Sequence, residues 1–165
     1  MNKTVFLAIG RWLTAQAILA LLAGFLLRAP AADAPFAQIR QAVLSAADLN
    51  DTVEADEQMV RRLYGIDPSV LDGCVLFCPS SNMDARELLL VRVRDETQRE
   101  AVQAAIQARI ETQKAAFDGY AAEQYDLMVN HSAVETAGST ILFVVGASSA
   151  DTVRAFRAAA YGRAS

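Results

Sequence analysis

An apolar run near the N-terminus constrains this chain more than any other feature of its sequence. The run extends over Trp12–Leu27, and only Thr14 and Gln16 interrupt it. At a rise of about 1.5 Å per residue, a helix over the run would be roughly 24 Å long, slightly less than the hydrocarbon core of a bilayer. The long side chains of Arg11 and Arg28 can reach the headgroups and make up the difference. We therefore expect an N-terminal apolar helix that crosses a membrane once.

The charges that flank the run predict which side of the membrane holds the rest of the chain. Lys3, Arg11 and the α-amino group outnumber Arg28, which favours an N-terminus inside and a domain outside the cytoplasmic membrane. Two alternatives stay open for residues 1–28: a secretory signal cleaved near the small residues 29–31, or a helix buried in a soluble core. The lack of polar periodicity counts against the buried helix. No Cys follows the run, so lipid attachment there is excluded.

The remainder of the chain is acidic and long enough to fold as one unit. Residues 29–165 keep all 19 acidic residues but only 12 of the 15 basic ones, so their net charge is −7. Because an acidic surface does not neutralise phosphates, we expect no nucleic-acid partner. A domain of this length needs neither a disulfide framework nor a structural metal. Residues 29–34 are rich in Ala and Pro and predict a stiff spacer before a domain over 35–165.

Hydrophobic periodicity and turn residues predict how helices and strands alternate in this domain. Two short helices come first, the second beginning after Asp56 and ending at Gly65. Two strands, a long helix, a hairpin and a last helix follow, over Cys74–Cys78, Leu88–Val93, Asp95–Phe117, Ser132–Gly146 and Ser148–Gly162. Asp95 is expected to cap the long helix, and Ser148 or Ser149 the last one. The order ααββαββα predicts an α+β domain with a mainly antiparallel sheet of about four strands, helices on one face, and the N-terminal apolar helix in front. Ile141–Val145 is apolar throughout and is expected to be a central strand.

The two cysteines and the single histidine carry little chemistry. Along a strand, Cys74 and Cys78 would be roughly 13 Å apart, about twice the Cα separation that a disulfide permits. No second cysteine pair completes a zinc site, so we interpret both as buried free thiols, with an intermolecular disulfide or a metal as alternatives. The sequence has no G-x-S-x-G motif whose serine His131 could activate, so His131 is expected at the surface or at a strand edge. We expect no metal and no cofactor.

A glutamine on the long helix is the most informative polar residue. Val102, Ile106, Ile110 and Phe117 define one apolar face, and Gln113 falls within about 25° of its centre. We expect its amide to be at least partly buried, where it needs a hydrogen-bond partner. Arg109, one turn earlier, borders the same face. The two residues are either a polar latch between helix and sheet or a pair that reads a ligand.

Two further residues complete a candidate polar cluster. Glu87 alternates in phase with the apolar residues of its strand, so its side chain is expected on the core side, where a helix-side Arg or Gln could meet it. A solvated carboxylate at the strand end is the alternative. Tyr120 follows the long helix and either packs over the helix end or forms an interface. The candidate cluster is therefore Glu87, Arg109, Gln113 and Tyr120.

Several segments of the chain resemble an uncharacterised bacterial family known as domain of unknown function 4358. The resemblance covers roughly residues 37–159 and is carried by Met83–Leu88, Val93–Gln98, Arg109–Lys114, Phe117–Tyr120, Glu123–Tyr125 and the hairpin around Gly138. Members of that family look like exported proteins, mostly of Gram-positive bacteria, held by a lipobox cysteine or an N-terminal apolar segment. This chain lacks the lipobox and has Ala122 where relatives tend to have Pro. The resemblance implies fold and location but no activity.

These observations predict a membrane-tethered extracytoplasmic domain that acts as a binding or interaction module for a protein or cell-envelope partner. Secretion after signal cleavage is the alternative for its location. One alternative for its function is an extracytoplasmic hydrolase that uses Glu87, Arg109 and Tyr120 around Gln113, which requires a concave pocket and a perturbed carboxylate. Another is a structural component of an envelope complex, which requires a large exposed apolar patch.

Overall fold

The computed structural model describes residues 34–162. The proposed anchor or signal segment, residues 1–28, and the spacer up to residue 33 lie outside this part of the chain. Within residues 34–162, no helix combines the length and the apolar composition that a membrane span requires.

Five helices and five strands make up the described domain. The helices are α1 (Phe36–Ala46), α2 (Glu57–Tyr64), α3 (Glu96–Phe117), α4 (Ala122–Asn130) and α5 (Ser149–Ala160). The strands are β1 (Thr52–Glu54), β2 (Gly73–Pro79), β3 (Glu87–Arg92), β4 (Ser132–Ala137) and β5 (Thr140–Val145). They form one sheet in the order β1-β2-β3-β5-β4, and all neighbouring strands are antiparallel. The α+β class and the antiparallel sheet are confirmed, with five strands in place of about four.

Helices cover both faces of this sheet, so the prediction of helices on one face is wrong. On the first face, α2, α3 and α4 pack on Leu89 and Val91 of β3 and on alternate residues of β5. On the second face, α1 and α5 pack on Leu88 and Leu90 of β3 and on the intervening residues of β5. The two middle strands, β3 and β5, are apolar on both faces and therefore need cover on both. The middle position of β5 agrees with the prediction for Ile141–Val145.

The predicted caps are confirmed at both ends of α2 and at the start of α3. The carboxylate of Asp56 accepts a hydrogen bond from Met59 N, and α2 ends at Gly65 in the left-handed conformation, with φ of 66°. The carboxylate of Asp95 accepts from Gln98 N at the start of α3. The hydroxyl of Ser148 is different: it accepts from Asp48 N at 2.7 Å and ties the α1–β1 connection to the start of α5. Ser148 thus holds the N-cap position without capping through its side chain.

Two elements were absent from the predicted order. Strand β1 has three residues and pairs only with β2 at the edge of the sheet, so its sequence offers no detectable period. Helix α4 occupies Ala122–Asn130, where we expected a connection. Ala122 is the first residue of this helix, a position at which Pro is favoured, so the departure from Pro leaves the local structure intact.

An aromatic contact fixes the chain where it enters the domain. The ring of Phe36 lies over Gly73, where an added Cβ would sit 2.7 Å from two ring carbons. The guanidinium of Arg92 stacks on the same ring, 5.6 Å from its centre, and donates a hydrogen bond to the carbonyl of Ala34. The start of the described chain is therefore held against the sheet.

Candidate functional site

A buried ion pair lies where strand β3 begins. The side chain of Glu87 is 1% exposed and accepts hydrogen bonds from Nε and Nη2 of Arg109 on α3, the shortest at 2.7 Å. The hydroxyl of Tyr64 on α2 donates to the same carboxylate. We call Tyr64, Glu87 and Arg109 the buried cluster. It ties two helices to the sheet and satisfies its carboxylate from both of them.

The surroundings of the buried cluster hold its protons in place. Burial raises the pKa of the Tyr64 hydroxyl well above its ordinary value, and the negative charge of Glu87 raises it further. Burial lowers the pKa of Arg109, but the hydrogen bonds and the charge of Glu87 outweigh this effect and raise it overall. The phenol and the guanidinium therefore keep their protons, and remain donors, throughout the physiological pH range.

The pattern of the sequence explains why these three side chains meet. Glu87 shares the sheet face of Leu89 and Val91, which is the face that α2 and α3 cover. Arg109 directly precedes the buried Ile110 and so lies at the border of the apolar face of α3. Tyr64 follows Val60 by one turn at the end of α2.

A cleft of about 240 Å³ lies beside the buried cluster. Helices α2 and α3 form two of its walls, and residues of β2 and of the β2–β3 loop, 80–86, form the third. Its polar lining residues are Arg62, Ser81, Asn82, Asp84, Arg109 and Gln113. The cleft therefore brings hydrogen-bonding groups from a strand-connecting loop and two helices to one concave surface.

Two of the polar groups in the cleft are free to bind. The partly buried side chain of Gln113 makes no hydrogen bond to any residue in 34–162. Glu87 engages Nε and Nη2 of Arg109, which leaves Nη1 without an acceptor in the described domain. These donors lie one turn apart on α3, and both residues line the cleft.

The β2–β3 loop is held at both of its ends. At the start, Ser80 N and its hydroxyl both donate to the carbonyl of Asp51. At the end, Ala85 N donates to the amide oxygen of Gln124 on α4 at 2.9 Å. The loop is thereby fixed against two other parts of the domain, and the cleft keeps its third wall.

The structure brings together part of the candidate polar cluster. Glu87 contacts Arg109, and Gln113 lies one turn further along α3 in the adjoining cleft. Tyr120 is 72% exposed after the end of α3 and joins neither group. The aromatic residue of the buried cluster is Tyr64, which sequence reasoning missed. Its position one turn after Val60, on the inner face of α2, was the available signal.

Comparison with known families decides the affiliation of the chain. The family described as Domain of unknown function (DUF4358) matches residues 45–146, which include all five strands and every residue of the cleft. The chain belongs to this family. No curated protein and no solved structure matches the chain.

The thiols of this DUF4358 domain are poorly placed for reaction. Cys78 is buried and Cys74 is half-buried, and both are free, which confirms that they do not bridge each other. Burial raises the pKa of Cys74 to about 11. Burial and the charge of Glu87 also raise the pKa of Cys78, which lines the cleft. Both side chains therefore act as small apolar groups rather than nucleophiles.

The remaining titratable groups of the DUF4358 domain give little chemistry. His131 lies at the surface after α4, as predicted, and its Nε2 is 3.8 Å from a carboxylate oxygen of Asp126. Within residues 34–162, no group of three or more His, Cys, Asp or Glu side chains is placed to hold a metal ion. The arrangement that the cleft does offer is a set of hydrogen-bond donors beside a fixed guanidinium.

Proposed function

We propose that this member of the DUF4358 family is a membrane-tethered extracytoplasmic module that binds a protein or cell-envelope partner through the cleft between α2, α3 and the β2–β3 loop. The observation that carries the proposal is the pairing of an internally satisfied cluster with an adjoining surface of unpaired donors. Buried polar groups are paired within a fold, as those of the buried cluster are, whereas the unpaired donors of the cleft are open to a partner.

Arg62 adds to this argument. Its Nη2 donates to the sulfur of Met59, but its guanidinium has no carboxylate within ion-pair distance in residues 34–162, although most other arginines of the domain are paired. It lines the same cleft as Gln113 and Arg109. A guanidinium without a carboxylate partner and an unpaired amide on one concave surface favour recognition of a partner.

A hydrolase receives less support from the same site. Glu87 is sealed from solvent and holds two partners, so it cannot exchange a proton with a substrate in the cleft. Asp84 does line the cleft. Burial raises its pKa, but the hydrogen bonds and charge of Arg86 outweigh this effect and hold the pKa below its ordinary value. A general acid would need the opposite shift.

A structural role in an envelope complex also receives less support. The large apolar side chains that are exposed include Val53 on β1 and Val134 on β4, the two opposite edges of the sheet. Tyr120 and Tyr161 follow two different helices. This spread over separate elements gives no support for one continuous apolar patch.

The proposed tether is supported by the sequence. The apolar run Trp12–Leu27 has basic flanks, and the acidic excess falls entirely after it. A binding module on a short spacer would stay close to the membrane surface, where envelope partners are available.

Photo-crosslinking in intact cells tests the binding proposal. A benzophenone-bearing residue replaces Asn82, which is exposed on the cleft rim, in the full-length chain. The matched control carries the same residue at Arg154, exposed on α5 at the other face of the sheet. We expect a defined crosslinked product from position 82 and none at that mass from position 154. The same products from both positions, or none from either, would contradict binding through the cleft.

A further inference from the structure

We infer that the cleft binds a carboxylate of a peptide ligand. This inference rests on the proposed function and narrows it, because it names the chemical group that enters the cleft. Three features of the cleft support it: an uncompensated positive charge, the fixed orientation of Arg109, and a small volume.

The charged residues of the cleft leave one positive charge without a partner. Arg109 is neutralised by Glu87, and Asp84 is neutralised by Arg86, whose Nε lies 2.9 Å from a carboxylate oxygen. Arg62 donates only to the sulfur of Met59 and has no carboxylate within ion-pair distance in the described domain. A positive cleft on a domain of net negative charge favours an anionic ligand group over a cationic one.

The donors of the cleft suit a planar anion. The buried carboxylate of Glu87 holds the guanidinium of Arg109 in one orientation, so its remaining nitrogen is positioned before a ligand arrives. The amide of Gln113 lies one turn away. A carboxylate has two oxygens that accept hydrogen bonds in one plane, and can use a guanidinium and an amide together.

The volume of the cleft limits what enters it. At about 240 Å³, it is smaller than the pockets that enclose whole drug-sized molecules, which start at about 300 Å³. Met59, Leu63 and Ala116 provide apolar walls for a short carbon chain. The cleft therefore fits one acidic side chain or one chain terminus, while the rest of the peptide lies outside.

Three short peptides test the inference and distinguish a side-chain carboxylate from the carboxylate of a chain terminus. They are acetyl-Gly-Glu-Gly-amide, acetyl-Gly-Gln-Gly-amide and acetyl-triglycine with a free carboxyl end, each titrated into the isotope-labelled full-length chain in detergent micelles. We expect saturable shifts of the backbone amide signals of Asn82 and of residue 113, both of which line the cleft, with a dissociation constant on the order of 1 mM for at least one carboxylate peptide. The neutral glutamine peptide should give none.

Two variants show whether the signal comes from the cleft. Gln113→Leu and Arg62→Gln should each weaken binding roughly tenfold, because each removes a donor to a charged acceptor. Gln107→Leu, on the exposed side of the same helix, is the matched control and should bind as the unchanged chain does. Binding of the glutamine peptide with equal strength, equal losses in all three variants, or no saturable shift would overturn the inference.

The outcome is separable from that of the crosslinking experiment. A crosslink from position 82 without carboxylate binding would support the binding module and contradict a carboxylate as its ligand. Carboxylate binding without a crosslink would support carboxylate recognition by the cleft and contradict binding of an envelope partner there.

Discussion

Removing the guanidinium of the buried cluster should destabilise the domain strongly. In Arg109→Met, the carboxylate of Glu87, 1% exposed, loses all of its hydrogen bonds from arginine and keeps only the one from Tyr64. Breaking one side of a buried ion pair costs about 3–5 kcal/mol. Arg109 is 13% exposed and borders the cleft, so water can reach the vacated position and the cost should be about 3 kcal/mol.

Urea unfolding of the full-length chain in detergent, followed by circular dichroism, measures this loss. Arg154→Met is the matched control, because Arg154 is 74% exposed and its ion pair with Asp151 lies at the surface. The control should change the free energy of unfolding by no more than about 0.5 kcal/mol.

Replacing the whole buried cluster separates pairing from packing. The triple variant Tyr64→Phe, Glu87→Leu, Arg109→Met removes every charge and hydrogen bond of the cluster but keeps its volume. We expect a stability within about 1 kcal/mol of the unchanged chain, or higher, because an uncharged core avoids the cost of desolvation. Two results would refute the view that Glu87 is sealed and depends on Arg109. One is a loss of less than about 1 kcal/mol in the free energy of unfolding of Arg109→Met, and the other is an equal loss in the triple variant and in Arg109→Met.

Three other perturbations have definite expected outcomes. Gly73→Ala should cost about 1–3 kcal/mol in urea unfolding, because the new methyl group overlaps the ring of Phe36, and adding Phe36→Leu should recover part of it. Asp95→Ala should cost about 1 kcal/mol through the lost cap to Gln98 N; an unchanged midpoint would contradict the cap. The raised pKa of Cys74, about 11 against 9.0, predicts a thiolate fraction at pH 8 about 100-fold below that of a free thiol. Its alkylation rate should therefore rise steadily up to pH 10, whereas a plateau near pH 9 would contradict the raised pKa.

The sequence was sufficient for the elements that have a long period or a clear cap. The apolar face of α3 and the acceptor at Asp95 placed that helix correctly, and the turn at Gly138 placed the β4–β5 hairpin. Strand β1 could not be found, because three residues at a sheet edge carry no alternation. Helix α4 was not predicted because Asp118 and Gly119, which stand before it, are residue types typical of a connection.

The sequence contains a pattern that indicates helices on both faces of the sheet, and the prediction of a single helical layer overlooked it. Leu88–Val91 and Ile141–Val145 are apolar without alternation, a pattern that indicates burial on both faces of a strand. The predicted single layer of helices would have left half of these side chains exposed. Helices α1 and α5 supply the second layer.

The candidate site was predictable only where residues lie on one regular element. Arg109 and Gln113 share the inner border of one helix, and the phase of Glu87 along β3 directed it to the same layer. Tyr120 lies beyond the end of α3, where no period constrains the direction of a side chain. The third wall of the cleft depends on a loop held by Asp51 and Gln124, contacts distant in sequence that no local pattern reveals.

The location of the domain outside the cytoplasmic membrane is the claim on which the proposed function depends. Arg154→Cys adds an accessible thiol on α5, where Arg154 is 74% exposed, whereas Cys78 is buried and Cys74 is half-buried. Spheroplasts that express the full-length variant are treated with a charged maleimide that does not cross the membrane, and the unchanged chain is the control. We expect labelling of the variant in intact spheroplasts; labelling only after lysis would contradict a location outside the membrane.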